Sequence, residues 1–156
     1  MNEIANTTVL ISGGAGAMGQ LTSEYLNSRE DYVLSAIYDP KYEGKEYDVY
    51  KELTDIKEDL VIEFSPANII NENVSKLIDS DADIIIGSSG LSSESLTNLK
   101  KAAINRKIIV IPNFSVGAAY QKIFSNSLSS KFKSVNIIEK HHSKKQDAPS
   151  GTAYDL

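Results

Sequence analysis

A glycine-rich turn, GGAGAMG at Gly13 to Gly19, joins an apolar run to a helical segment, and few folds accommodate that junction. The run before it, TTVLIS at Thr7 to Ser12, is rich in β-branched residues and reads as a buried strand. Beyond it, Leu21, Tyr25 and Leu26 give residues 20–28 a helical face. Within the turn, Gly14, Gly16 and Gly19 form G-x-G-x-x-G, and Gly13 adds freedom just ahead of it. A phosphate pair needs such a turn: no Cβ in the way, and helix amides pointing outward. The third glycine lets the helix approach the sheet. A lone G-x-G-x-x-G is a weak signal, but this one has the required strand and helix around it. An ordinary flexible turn is the competing reading.

The rest of the chain repeats the alternation. Strands are predicted at residues 34–38, 60–64, 83–87, 107–111 and 134–139. Helices are predicted at 65–79, 92–105 and 117–129, with a helix start from Ser150 and a short helix near Leu53 to Lys57. Ser92 is the expected cap of the third long helix. Strands separated by helices argue for a parallel sheet with helices on both faces, a Rossmann-like α/β fold.

Composition narrows the function classes. The chain has 156 residues, 41% of them hydrophobic and 24% charged, which excludes wholesale disorder. A net charge of -5 argues against a nucleic-acid partner. Cysteine is absent, so disulfides, thiolate metal sites and a cysteine nucleophile are excluded. Met1 to Thr8 has no signal-peptide pattern, and no run nears the about 18 apolar residues of a membrane span. A cytoplasmic protein without membrane partners is the expectation.

Two regions carry candidate chemistry. Asp39 ends the second strand, where an acid meets the adenosine ribose in NAD-binding sheets; a solvated turn aspartate before Pro40 is the bland alternative. Lys41 is placed to meet a 2′-phosphate, although most lone surface lysines do nothing of the kind. The loops SPAN at Ser65 to Asn68, GSSG at Gly87 to Gly90 and PNFS at Pro112 to Ser115 all follow strands and share one sheet edge with the glycine turn. Near the C-terminal end, His141, His142, Lys144, Lys145 and Asp147 precede APSGTA at Ala148 to Ala153. Histidine can hold or donate a proton near neutral pH, and lysine supplies positive charge. Ser150, Gly151 and Thr152 are placed to cap a helix whose amides face an anion. The cluster suggests a small carboxylate-bearing substrate; a charged surface loop is the alternative. No metal site is expected, since no spaced ligand set is present.

The segment EKHHSKKQDAPSGTA, Glu139 to Ala153, resembles the signature E-x-H-H-x-x-K-x-D-A-P-S-G-T-A of the 4-hydroxy-tetrahydrodipicolinate reductases, also called dihydrodipicolinate reductases. GGAGAMG, IEFSPAN, GSSG and PNFSVGA agree in order, so the resemblance covers essentially the whole chain. It implies hydride transfer from NADH or NADPH to 4-hydroxy-tetrahydrodipicolinate, giving tetrahydrodipicolinate and water in lysine and diaminopimelate biosynthesis. It also implies a homotetramer for complete members. His141 and Lys145 match the catalytic pair; His142, Gly151 and Thr152 match substrate-binding positions. The resemblance places Gly13, Gly14, Ala15, Gly16, Ala17 and Met18 in the phosphate loop and Asp39 at the ribose. Gly87, Ser88 and Ser89 fall near the nicotinamide, and Ile111, Pro112, Asn113 and Phe114 in a further cofactor-contacting stretch.

Departures bear on the cofactor. The family usually carries arginine where this chain has Ala17, which together with Asp39 favours NADH, with Lys41 opposing. IEFS stands where D-F-T is usual. The implied organisation is a dinucleotide-binding domain over residues 1–129 and the beginning of a mixed α+β substrate-binding and catalytic domain over 130–156. A chain ending at Leu156 is then expected to bind dinucleotide weakly and turn over little. The alternatives are a non-catalytic or truncated NAD(P)-binding domain that retains the motifs, and another NAD-binding dehydrogenase.

Overall fold

The computed structural model describes residues 6–111, 113–141, 143, 149–154 and 156. They form two compact units, Met1–Ile111 and Pro112–Leu156. The first contains β1 (Thr7–Ser12), α1 (Ala17–Asn27), β2 (Tyr32–Tyr38), β3 (Asp48–Val49), β4 (Leu60–Glu63), α2 (Ile70–Leu77), β5 (Asp83–Ile86), α3 (Ser93–Ala102) and β6 (Ile108–Val110). The second contains α4 (Val116–Ser129) and α5 (Gly151–Tyr154).

All six strands of the first unit pair in parallel, in the order β3-β2-β1-β4-β5-β6. The order reverses beside β1, which opens a crevice at the carboxyl ends of β1 and β4. Side chains of β1 alternate between two cores. Leu10 packs with Val61, Ile84, Ile86, the α2 residues Ile70, Val74 and Leu77, and Leu99 of α3. Val9 and Ile11 pack with Leu34, Ile37, Ile62 and Leu26 of α1. Helices therefore cover both faces of a sheet too apolar to leave either in water. Between Val9 and Leu10 the register with β2 slips by one residue, leaving Ser35 out of the pairing with β1, although its hydroxyl donates to the Val9 carbonyl at 3.3 Å. That bulge places Leu34 and Ile37 in one core and Ala36 in the other.

The predicted Rossmann-like sheet is present, and Ser92 caps α3 by accepting from the Ser95 N–H. Several details differ. The two-residue β3 was not anticipated. Residues 66–69 form a turn before α2, with the Ile69 N–H bonded to the Pro66 carbonyl at 3.0 Å. Residues 53–57 form no helix; Leu53 is buried and anchors a loop to the core. Residues 134–139 are not a strand, and among the described residues of the second unit there is none. Val135, Ile137 and Ile138 are all exposed there, and an apolar run with no neighbouring strand has nothing to pair with.

Candidate functional site

The glycine turn follows β1 directly. Gly13 has φ +84°, and a Cβ there would lie 2.8 Å from the Phe64 carbonyl carbon. A Cβ on Gly19 would lie 2.6 Å from the Gly14 Cα, so α1 could not close on the turn. Gly13 and Gly14 are buried, whereas Gly16, Ala17 and Met18 are exposed. No side chain caps α1, so its first-turn amides face outward at the crevice. This cradle fits a pyrophosphate.

Asp39 braces the turn from β2. Its Oδ2 accepts the Ala15 N–H at 3.0 Å and its Oδ1 accepts the Lys41 N–H at 2.8 Å. Just beyond it, the Tyr42 hydroxyl donates to Glu46 at 3.0 Å; burial and that carboxylate push the phenol up to about 12. The loops after β4 and β5 form the rest of the edge. The Glu63 carbonyl accepts from the Gly87 N–H at 2.9 Å and the Ser88 hydroxyl at 3.3 Å. Ser88 is buried and Ser89 exposed. The Ile111 N–H bonds the Ile86 carbonyl at 2.8 Å, continuing the line of β6.

In the second unit, the Asn113 amide donates to the Thr152 hydroxyl at 3.1 Å. A residue expected at the cofactor thus meets one expected at the substrate. Asn113 also accepts from the Ser115 N–H at 2.7 Å, and Ser115 caps α4 by accepting from Ala118. Glu139 accepts the Ser150 N–H on both oxygens, at 3.0 and 3.1 Å, and Ser150 in turn accepts from Ala153 at 3.1 Å. His141 Nδ1 stands 3.8 Å from a Glu139 oxygen, an ion pair when the imidazole is protonated. Glu139 therefore ties the histidine end of the signature to its serine-glycine-threonine end. Phe114 is about half exposed. Pro112, His142, Lys144, Lys145 and Asp147 lie outside the described residues. Among the described residues no cluster of metal-ligating side chains occurs, and no helix is long and apolar enough to cross a membrane.

A family model for the N-terminus of dihydrodipicolinate reductase matches residues 7–114, and one for its C-terminus matches residues 115–156. The chain belongs to the dihydrodipicolinate reductase family. A 4-hydroxy-tetrahydrodipicolinate reductase of Coxiella burnetii (strain RSA 493 / Nine Mile phase I) is 37% identical over 147 residues, covering 93% of this chain and 59% of the relative. The chain thus spans about three fifths of the length of the curated relatives it matches. A solved dihydrodipicolinate reductase from Paenisporosarcina sp. TG-14, with dipicolinate bound, superposes with a TM-score of 0.74 at 30% identity, over 96% of this chain and 63% of that one. The myo-inositol dehydrogenase of Lactobacillus casei shares the fold, at 20% identity and a TM-score of 0.59 over 79% of this chain and 42% of its own.

The glycine turn between β1 and α1 was legible from sequence. The Glu139–Ser150 clasp and the Asn113–Thr152 bond were not, because residues far apart in sequence carry no local mark of meeting. The signal for Glu139 was its place as the first fixed residue of the signature.

Proposed function

We propose that this chain performs, or forms the cofactor-binding part of, an NAD(P)H-dependent reduction of 4-hydroxy-tetrahydrodipicolinate to tetrahydrodipicolinate and water, a step toward diaminopimelate and lysine. The observation that carries this reading is the uncapped glycine turn at the strand-order reversal, braced by Asp39 through the Ala15 amide. A dicarboxylate substrate is supported by the dipicolinate held by the Paenisporosarcina relative. A bound reduced nicotinamide would supply the hydride.

The chain's own groups divide the remaining work. The α1 amides and Gly13 to Met18 bind the phosphates, with the helix dipole favouring their charge. Asp39 holds the ribose side; an acid there disfavours a 2′-phosphate, and Ala17 offers it no cation, so NADH is the favoured form. Ser88, Ser89 and residues 111–114 border the nicotinamide. Gly151 and Thr152 hold a substrate carboxylate and His142 assists. His141 and Lys145 deliver the proton that hydride addition requires. Residues 130–156 begin the substrate-binding part, and complete members assemble as homotetramers.

Titration with NADH and NADPH, followed by steady-state oxidation with freshly generated substrate, tests the reading. NADH should bind about tenfold more tightly than NADPH, and oxidation should depend on the substrate. H141Q and K145A should each lower turnover about 100-fold or more while leaving NADH affinity unchanged within about twofold. Binding without substrate-dependent oxidation would reject catalysis by this chain alone and leave it the cofactor-binding part; absence of binding would reject both.

A further inference from the structure

The sheet buries one carboxylate completely. Glu63, the last residue of β4, has no exposed surface, and among the described residues no cation pairs with it. An interior carboxylate is costly to desolvate, and an apolar residue of similar size would serve the core without that penalty. What Glu63 holds is therefore informative. One side-chain oxygen accepts the Ser65 N–H in a short hydrogen bond, and the other accepts the Asn73 amide at 3.2 Å. Asn73, on α2, also donates to the Ser65 hydroxyl at 2.9 Å, and that hydroxyl lies 3.1 Å from the Ser12 hydroxyl of β1. The Phe64 N–H bonds the Ser12 carbonyl at 2.8 Å. Gly13 lies so close over the Phe64–Ser65 peptide that no side chain fits between them. On its backbone side, Glu63 receives Gly87 and Ser88 from the loop after β5.

Every one of these bonds runs to the carboxyl edge of the sheet or to the helix that leaves it. Resting on the dinucleotide reading above, we propose that Glu63 is the positioning residue of that edge. Its carboxylate fixes the turn at residues 64–67, on which the glycine turn rests, and its peptide carbonyl fixes the start of the 87–90 loop. The spacing between phosphate loop and nicotinamide loop is then set by a group that never touches the nucleotide. Glu63 acts through Ser65 and Asn73, and has no surface with which to meet a ligand.

The test compares E63L and E63Q with the parent chain. Leucine approximates the volume, leaves the Ser65 N–H without its acceptor and takes from the Asn73 amide one of its two acceptors. Glutamine keeps an acceptor for Ser65 and offers Asn73 a donor, which half a turn of that amide satisfies. Amide hydrogen exchange is read in the dinucleotide-free protein. E63L should raise exchange about tenfold at residues 12–15 and at 64, 65 and 67, and leave β2, α3 and residues 87–88, which the unchanged peptide carbonyl holds, as they are. Its NADH dissociation constant should rise about tenfold, and E63Q should return both quantities to within about threefold of the parent. Should E63L fail to fold, N73A, which removes the bonds to Glu63 and to the Ser65 hydroxyl but keeps the bond from the Ser65 N–H to Glu63, should show the same exchange pattern at about threefold. Exchange that rises evenly across the sheet, or E63Q no better than E63L, would overturn the inference. If the parent chain binds neither NADH nor NADPH, the dinucleotide reading fails, and the exchange pattern alone still decides whether the Glu63 carboxylate positions the turn at 64–67 and the glycine turn above it.

Discussion

Thr8 and Asp59 clasp the amino edge of the sheet, opposite the candidate site. Asp59 accepts the Thr8 N–H at 2.8 Å and its hydroxyl at 2.7 Å, and the Asp59 N–H returns a bond to that hydroxyl at 3.0 Å. These donors hold the Asp59 carboxyl below its ordinary value of 3.8. A depressed folded-state value means the clasp contributes its full stability above the unfolded value and loses it as pH falls through the folded one. D59N should therefore unfold more easily than the parent at neutral pH, and the difference should shrink steadily below about pH 4. Urea melts across pH 2.5 to 7 would show it; a difference independent of pH would contradict the assignment. Asp59 and Asp39 look alike in the sequence, each an acid beside a strand. The strand-then-acid pattern marked Asp39, because a known recognition geometry attaches to the end of β2. Nothing local marked Asp59, whose partner lies on another strand. Glu63 was visible only as a departure from the D-F-T pattern, since burial is a tertiary property.

Helix ends make the same distinction among elements. Ser92 at α3 was readable because its bond to Ser95 closes within one turn. The carboxyl end of α2 is held from a distance. Arg106, just before β6, donates to the carbonyls of Leu77 at 3.3 Å, Ala82 at 3.2 Å and Ile78 at 2.6 Å, and to that of Ser80. The planar guanidinium spreads its donors over two nitrogens and reaches four carbonyls, whereas an ammonium has three donors on one nitrogen. R106A should destabilise the first unit by about 2 kcal/mol, by leaving partly buried carbonyls unpaired. R106K should recover less than half of that loss. Chemical denaturation of the three proteins measures it, and full recovery by lysine would reduce the role of Arg106 to its charge. The segment 134–139 fails in the opposite sense. Its composition favours a strand, but β-propensity acts only where a neighbouring strand can be paired.

Across the whole chain, burial is uneven. The first unit holds both apolar cores, whereas α4 has no buried residue and exposes Tyr120, Ile123, Phe124 and Leu128. Amides of α4 should therefore exchange through local opening, at least about 100-fold faster than those of β1 and β4, which should need global unfolding. Equal protection in α4 and β1 would show that the two units unfold as one. The uneven burial also explains what the sequence could convey. Alternating strands and helices announce a sheet whose contacts are mostly between neighbours in the β-α-β repeat, and that sheet was readable in outline. The bulge in β2 was not, and it governs the site. Side chains of an extended strand point alternately up and down, so the count of residues from the strand's start decides where its last side chain emerges. The bulge takes Ser35 out of that count. Were Ser35 paired in regular alternation, Ile37 would point away from α1, and Asp39, two residues on, would leave the strand on that same far side of the sheet. The hand that steadies the glycine turn is dealt by a single serine left out of register, an odd-or-even switch set well before the residue it aims.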